Sequence, residues 1–297
     1  MDRRGILAGL TLAATGAPAR AQTAPIIAPG AKRTQIKDCV ALVTGSNRGI
    51  GRGFVEGLLK HGARRVYATA RNPKTLDEVV ALDPARVVPL ALDVTVDAQR
   101  RAVAAAAPDA TWLINNAAYP GNLKVPAERR FRSAASLDDI KLAMDTNCWS
   151  PAELARLFIP IILANATPQN PGAILNILSG GALFCLPEFT GYSTSKAAAM
   201  MMTAGLRAET DREPILVASV FTGGVRTRAL PVGATTTVTP LQHAEEVFAA
   251  LAAGQSTIFP ATGGVNVRAR ICADPEGFER RVIDRFYANP VTLAPYD

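Results

Sequence analysis

The chain has 297 residues, of which 48% are hydrophobic and 19% charged, and a formal net charge of +7. That length and composition support one large core or two small ones and exclude a chain disordered over most of its length. The basic excess is spread out, apart from short pairs such as Arg64–Arg65, Arg129–Arg130 and Arg280–Arg281, which argues against a nucleic-acid partner with its basic stripe interleaved with aromatics.

The first segment is different in kind. Residues 1–21 hold the Arg3–Arg4 pair, a short Ala/Leu/Gly stretch from Gly5 to Ala17, and Ala19-Arg20-Ala21 before Gln22. The pattern resembles a twin-arginine export signal with a small-residue cleavage site, and so predicts a periplasmic protein. A mis-chosen start codon ahead of a cytoplasmic enzyme, or a frayed amphipathic tail, is the alternative. The apolar run is too short to anchor in a bilayer, so no membrane anchor is expected after signal removal. Residues 22–37, with Pro25, Pro29 and Gly30, read as a linker, which leaves 38–297 as the folded domain.

From Asp38 onward, short apolar runs alternate with longer amphipathic ones. Strands are predicted at Val40–Thr44, Arg65–Thr69, Val87–Leu92, Thr111–Asn115, Ala173–Leu178, Ile215–Phe221 and Ser256–Phe259. Helices are predicted at Gly49–His61, Lys74–Leu82, Asp97–Ala107, Ser136–Leu163, Tyr192–Thr210 and Pro240–Ala253, with a further start at Asp274-Pro275-Glu276. Ser136, three residues before Asp139, is the expected cap of the long helix. Continuous Val/Ile/Leu runs separated by helices indicate a parallel sheet buried on both faces, hence a single doubly wound α/β domain. Cys39, Cys148, Cys185 and Cys272 form no C-x-x-C, and with only His61 and His243 beside them no metal site is expected.

T-G-S-N-R-G-I-G, residues 44–51, lies between the first predicted strand and helix. Gly45 permits a tight turn, Gly49 a close approach of backbone to a pyrophosphate, and Gly51 close packing of helix on sheet. Ser46, Asn47, Arg48 and Ile50 complete a turn that aims helix N–H groups at phosphate. Far downstream, G-Y-S-T-S-K sets Tyr192 and Lys196 four residues apart, one turn of a helix, where an ammonium favours the neighbouring phenolate. A dinucleotide turn and a tunable proton donor together point to hydride transfer.

The T-G-x-x-x-G-x-G spacing with Y-x-x-x-K resembles the single-domain branch of the short-chain dehydrogenase/reductase family, from about Asp38 to Thr227. That resemblance implies a Rossmann domain and carries over further positions. A-L-D-V-T gives Asp93 and Val94 at the adenine. N-N-A-A gives Asn116 and Ala117 in the fourth-strand motif, with Ala118 where glycine is usual and strain therefore expected. N-I-L-S-G gives Ser179, and D-T-N-C-W-S gives Asn147. The implied roles are proton transfer for Tyr192, cofactor ribose binding and phenolate stabilisation for Lys196, carbonyl orientation for Ser179, and a water held by Asn147. Downstream, F-T-G-G-V-R-T gives Gly223 and Thr227 at the nicotinamide, with Thr222 in place of the usual proline.

The second strand ends in Arg71, with no acid to accept from a ribose 2′-hydroxyl, and Arg48 is a second cation. Two guanidiniums suit a 2′-phosphate, so the cofactor is expected to be NADP(H); two ordinary surface arginines are the alternative. The pocket is expected from Tyr119–Phe131, Leu183–Phe189 and Arg226–Thr239, with an apolar wall of Leu183, Phe184, Leu186 and Phe189. Arg226 and Arg228 are its candidate anion contacts, and Val232–Thr239 has the composition of a lid. The substrate is a small carbonyl or alcohol of unspecified identity. A homo-oligomer is expected because the helices at 136–163 and 192–210 resemble those that pair in the family. Two rival readings are a Rossmann sensor or scaffold without chemistry and a serine hydrolase using Ser179 with His243.

Overall fold

The computed structural model describes residues 32–227, 238–260, 267–288 and 290. The proposed leader, residues 1–21, the first part of the expected linker, Arg228 and residues 232–237 of the expected lid lie outside them. The last residues of the expected linker are part of the folded body. The buried Thr34 donates its hydroxyl to the Pro171 carbonyl at 2.7 Å, and Lys32 Nζ donates to the Thr210 carbonyl at 2.9 Å.

Seven parallel strands form one sheet in the order β3-β2-β1-β4-β5-β6-β7. They are β1 Val40–Val43, β2 Arg65–Ala70, β3 Val87–Ala91, β4 Trp112–Asn115, β5 Gly172–Ser179, β6 Ile215–Thr222 and β7 Thr257–Ile258. Order reverses between β1 and β4, the switch point where an open α/β sheet leaves a crevice beyond its carboxyl ends. Because side chains alternate along a strand, Ala41 and Val43 enter one core while Val40 and Leu42 enter the other. The first core takes in Phe54, Val55 and Leu58 of α1 (Gly49–Lys60), Val79 of α2 (Asp77–Val80), and Val247, Phe248 and Leu251 of α7 (Pro240–Ala252). The second takes in Val103 of α3 (Asp97–Ala106), Leu154, Phe158 and Ile162 of α5 (Ser150–Asn165), and Leu206 of α6 (Thr190–Glu209).

The predicted helix at 136–163 is not uniform. It begins with α4 (Asp138–Met144), passes through a π-helical turn at Asp145–Trp149, and resumes as α5. Pro151 explains the break in part: it has no N–H to offer the carbonyl four residues back, that of Asn147. Ser136 is not the cap. That position is Leu137; Ser136 Oγ instead accepts from Asp138 N, and Asp139 is drawn to Tyr119 and Asn122. The helix predicted at 74–82 is a 3-10 turn, Pro73–Leu76, leading into the short α2. At the carboxyl end α8 (Val267–Ala273) was not anticipated, whereas α9 (Pro275–Ala288) starts where expected, Asp274 Oδ1 accepting from Gly277 N at 3.0 Å.

One buried polar chain crosses the second core. Asn115 Nδ2 of β4 donates to Asn176 Oδ1 of β5 at 2.8 Å, and Asn176 Nδ2 donates to Thr203 Oγ1 of α6 at 2.9 Å. It ties the helix carrying Tyr192 and Lys196 to the middle of the sheet. Phe158, fully buried in this layer, supplies the corresponding apolar grip. Its replacement, Phe158→Ala, is expected to destabilise the protein by about 3–5 kcal/mol in a urea titration; a loss under about 1 kcal/mol would contradict this packing.

Candidate active site

The glycine turn follows β1 directly. Gly45 and Gly49 take φ of 64° and 55°, in the left-handed region where a side chain is strained. Gly51 is required for another reason: a Cβ there would lie 2.3 Å from the Gly45 carbonyl oxygen and 2.6 Å from Asn116 Nδ2. That amide reaches across from the end of β4 to donate to the carbonyls of Thr44 (2.9 Å) and Gly45 (3.0 Å). In return Thr44 Oγ1 accepts the backbone N–H groups of Asn116 and Ala117, both at 2.9 Å. Ser46 is buried and binds the Thr69 carbonyl of β2 through its N–H and hydroxyl. Asn47 and Ile50 are half-buried, and Arg48, exposed and extended, precedes α1.

The first turn of α1 has neither a side-chain cap nor an acidic residue of its own, so its helical N–H groups open towards the crevice. Arg71 is exposed just beyond β2, the neighbour of β1. Beyond β3, Asp93 turns one carboxylate oxygen onto Thr95 N and Oγ1, and Val94 is buried beside it. Ala118 is exposed and does not take a positive φ, so the strain expected there is absent.

Ser179 is the last residue of β5, half-buried, its Oγ accepting from Gly181 N at 3.2 Å. It pairs in register with Thr222, the last residue of β6, so Gly223 leaves the sheet beside it. Thr227 returns to the glycine turn, where a Cβ on Gly49 would be 3.3 Å from its methyl group. Tyr192 stands half-buried on the first turn of α6, and Lys196 lies one turn on. Lys196 is 3% exposed; its Nζ donates to the Ile177 carbonyl at 2.8 Å and lies 5.7 Å from the centre of the Tyr192 ring. Burial pulls its pKa down to about 8, against a small opposing effect of Cys148.

Asn147 sits in the π turn, and its side chain makes three hydrogen bonds within the protein. Oδ1 accepts from Tyr119 N at 2.8 Å; Nδ2 donates to the Tyr119 carbonyl at 2.8 Å and to Ser195 Oγ at 2.9 Å. Ser195 in turn donates to the Tyr192 carbonyl at 2.7 Å. Pro151 has no N–H to offer the main-chain carbonyl of Asn147, the other acceptor that this residue presents. Ser195, Thr44 and the Tyr119 backbone escaped the sequence reading. The second serine of Y-S-T-S-K was the available signal for Ser195, but nothing local marks a hydroxyl that bridges two helices.

The expected apolar wall is only partly available. Phe189 is buried beneath the Arg129 guanidinium, 4.3 Å from its ring centre. Phe184 packs edge-on against Phe278 of α9, and Arg285 of α9 holds the buried Glu188 through both carboxylate oxygens. The C-terminal helix is thus fastened to the segment that precedes Tyr192. His243, the base that a hydrolase would need, is buried with Nε2 directed to the Thr222 hydroxyl at 3.3 Å.

The model of the short chain dehydrogenase family matches residues 39–234. Short chain dehydrogenase tazN of Aspergillus terreus is 29% identical over 178 residues, 56% of this chain; the chain spans only 37% of that relative's length. The 1-deoxy-11-beta-hydroxypentalenate dehydrogenase of Streptomyces avermitilis is 28% identical over 237 residues, 75% of this chain and 85% of its own. Among solved structures, a short chain dehydrogenase from Burkholderia cenocepacia in complex with NADP is 33% identical, with a TM-score of 0.72 over 84% of this chain and 99% of that one. A family match covering well over half of the residues, on a sheet whose carboxyl edge gathers Tyr192, Lys196, Ser179 and Asn147, makes this chain a member of the short-chain dehydrogenase family of oxidoreductases.

Proposed function

We propose that this oxidoreductase interconverts a carbonyl and a secondary alcohol with NADP(H), using Tyr192 as the proton donor and acceptor. The observation that carries the reading is the junction of two groups of residues at one sheet edge. Ser179 and Thr222 end adjacent strands, and Thr227 brings the β6 segment against the glycine turn.

The residues present fit a dinucleotide. Gly45, Ser46, Asn47, Arg48, Gly49, Ile50 and Gly51 form a cradle with no room for a Cβ at Gly51, leading into a helix N-terminus that has no protein anion in its first turn. Asp93 and Val94 would hold the adenine end, Asn116 and Ala117 the middle of the crevice, and Gly223 and Thr227 the nicotinamide end. A bound nicotinamide supplies or accepts the hydride. Tyr192 gives its proton to the carbonyl oxygen in reduction and takes it back in oxidation. Lys196 favours the phenolate by its charge, and Ser179 holds the same oxygen by a hydrogen bond. A water on the Asn147 carbonyl would relay protons towards Lys196. Export through the Arg3–Arg4 leader belongs to the same reading.

Tyr192→Phe is expected to lower turnover of a carbonyl panel by roughly 10²- to 10⁴-fold with NADPH binding retained, measured by NADPH absorbance and fluorescence titration. Near-normal turnover would remove Tyr192 from the chemistry. Binding without turnover in the unaltered protein, across the whole panel, would favour the sensor reading.

The arginine-for-acid exchange at the end of β2 supports the 2′-phosphate, as does the NADP named for the Burkholderia relative. Arg71→Ala is expected to weaken NADPH by about tenfold or more while leaving NADH unchanged; equal effects on the two would sink the preference. For export, a reporter fused after Ala21 is expected outside the cytoplasm and, after Arg3→Lys and Arg4→Lys, inside it. A location unchanged by those substitutions would refute the leader.

A further inference from the structure

β6 ends in Thr222, where the family resemblance leads to an expectation of proline, and the turn beyond it carries Gly223. Proline would fix φ near −65° and stiffen the turn, whereas threonine leaves it free. Here the threonine has a partner: its Oγ1 lies 3.3 Å from His243 Nε2.

His243 is fully buried on the first turn of α7, and its ring meets Phe54 of α1 edge-on with centroids 6.1 Å apart. α7 is itself keyed to α1. A Cβ on Gly53 would fall 2.4 Å from the Pro240 carbonyl group, so at that point the backbones of the two helices approach directly. The start of α7 is held by a Thr239–Gln242 capping box, and Arg226 N donates to the Val238 carbonyl at 2.9 Å.

Burial pushes the His243 pKa down to about 4, which leaves the ring neutral at ordinary pH. Its Nδ1 is buried without a partner, so among the described residues Thr222 takes the one hydrogen bond of the ring. An imidazole with an orphaned nitrogen costs stability that an aliphatic side chain packed on Phe54 would not. That cost, set at the base of the Gly223 turn, calls for a role beyond filling the core.

We infer that His243 is a positioning residue: by holding Thr222 Oγ1 it replaces the stiffness of proline and ties the Gly223 turn to α1. Phe54, His243 and Thr222 then form a strut between the helix that follows the glycine turn and the strand end that faces the nicotinamide. The inference rests on the proposed cofactor role of that turn.

The test compares His243→Leu, Thr222→Val, His243→Gln, and His243→Leu combined with Thr222→Pro. His243→Leu and Thr222→Val are each expected to lower kcat by about tenfold, with the KM for the carbonyl substrate unchanged and melting temperature nearly so. His243→Gln, which keeps a polar group near Nε2, retains most of the rate, and proline at 222 restores it in the His243→Leu background. Two results overturn the inference: both single variants within about twofold of the unaltered kcat, or a loss in His243→Leu that tracks melting temperature and is not recovered by proline. NADPH titration of the unaltered protein tests the proposed function separately. If it binds no NADPH, ring-nitrogen NMR decides the strut: an Nε2 shift of His243 on Thr222→Val supports it, and an unchanged resonance overturns it.

Discussion

Lys196 carries an ammonium into a place buried from bulk solvent, and much of the surrounding structure serves to keep it there. Desolvation of that charge is unfavourable, as its lowered pKa records, and the Ile177 carbonyl offsets only part of the loss. The position has to be imposed by parts that are themselves rigid. α6 is pinned to the sheet through Thr203 and Asn176, and to the π turn through Ser195 and Asn147. Asn147 is in turn clamped by both backbone groups of Tyr119. Tyr192 shares this helix, so the geometry between phenol and ammonium is set by one turn of α6 and does not depend on a loop.

The opposite side of the crevice is built from backbone. The Thr44 hydroxyl and the Asn116 amide stitch the ends of β1 and β4 together across the switch point, and they leave no volume for a side chain at Gly51. Such a cradle suits a phosphate by shape and N–H direction, whereas Arg48 within the turn and Arg71 beyond β2 are exposed side chains.

The strand pattern was legible because each β-strand is a short Val/Ile/Leu run bounded by polar residues, and burial on both faces demands that composition. The glycine turn and Y-S-T-S-K were legible because their spacing is local. The π turn was not: Asp145–Trp149 is a run of weak helix formers, which does not specify a π turn, and its geometry comes from Pro151 and from side-chain bonds to residues 119 and 195. Ser136 misled for a related reason, since a capping residue type also serves isolated turns. The apolar wall assigned to Phe189 failed because the sequence does not reveal that Arg129 lies over the ring. Contacts between distant segments were the common blind spot.

The amide chain through the second core bears on how the sheet assembles. Parallel strands of Val, Ile and Leu are nearly interchangeable in register, since a two-residue slip returns apolar side chains to both faces. In β4 and β5, Asn115 and Asn176 are level partners. A slip of two would set Asn176 against Leu113 and break the Asn115–Asn176 bond, leaving the Asn176 amide oxygen buried without its donor, at about 1–3 kcal/mol for the orphaned group. The pair thus penalises misaligned sheets more than it stabilises the native one, and Thr203 extends that selection to the helix docking behind them.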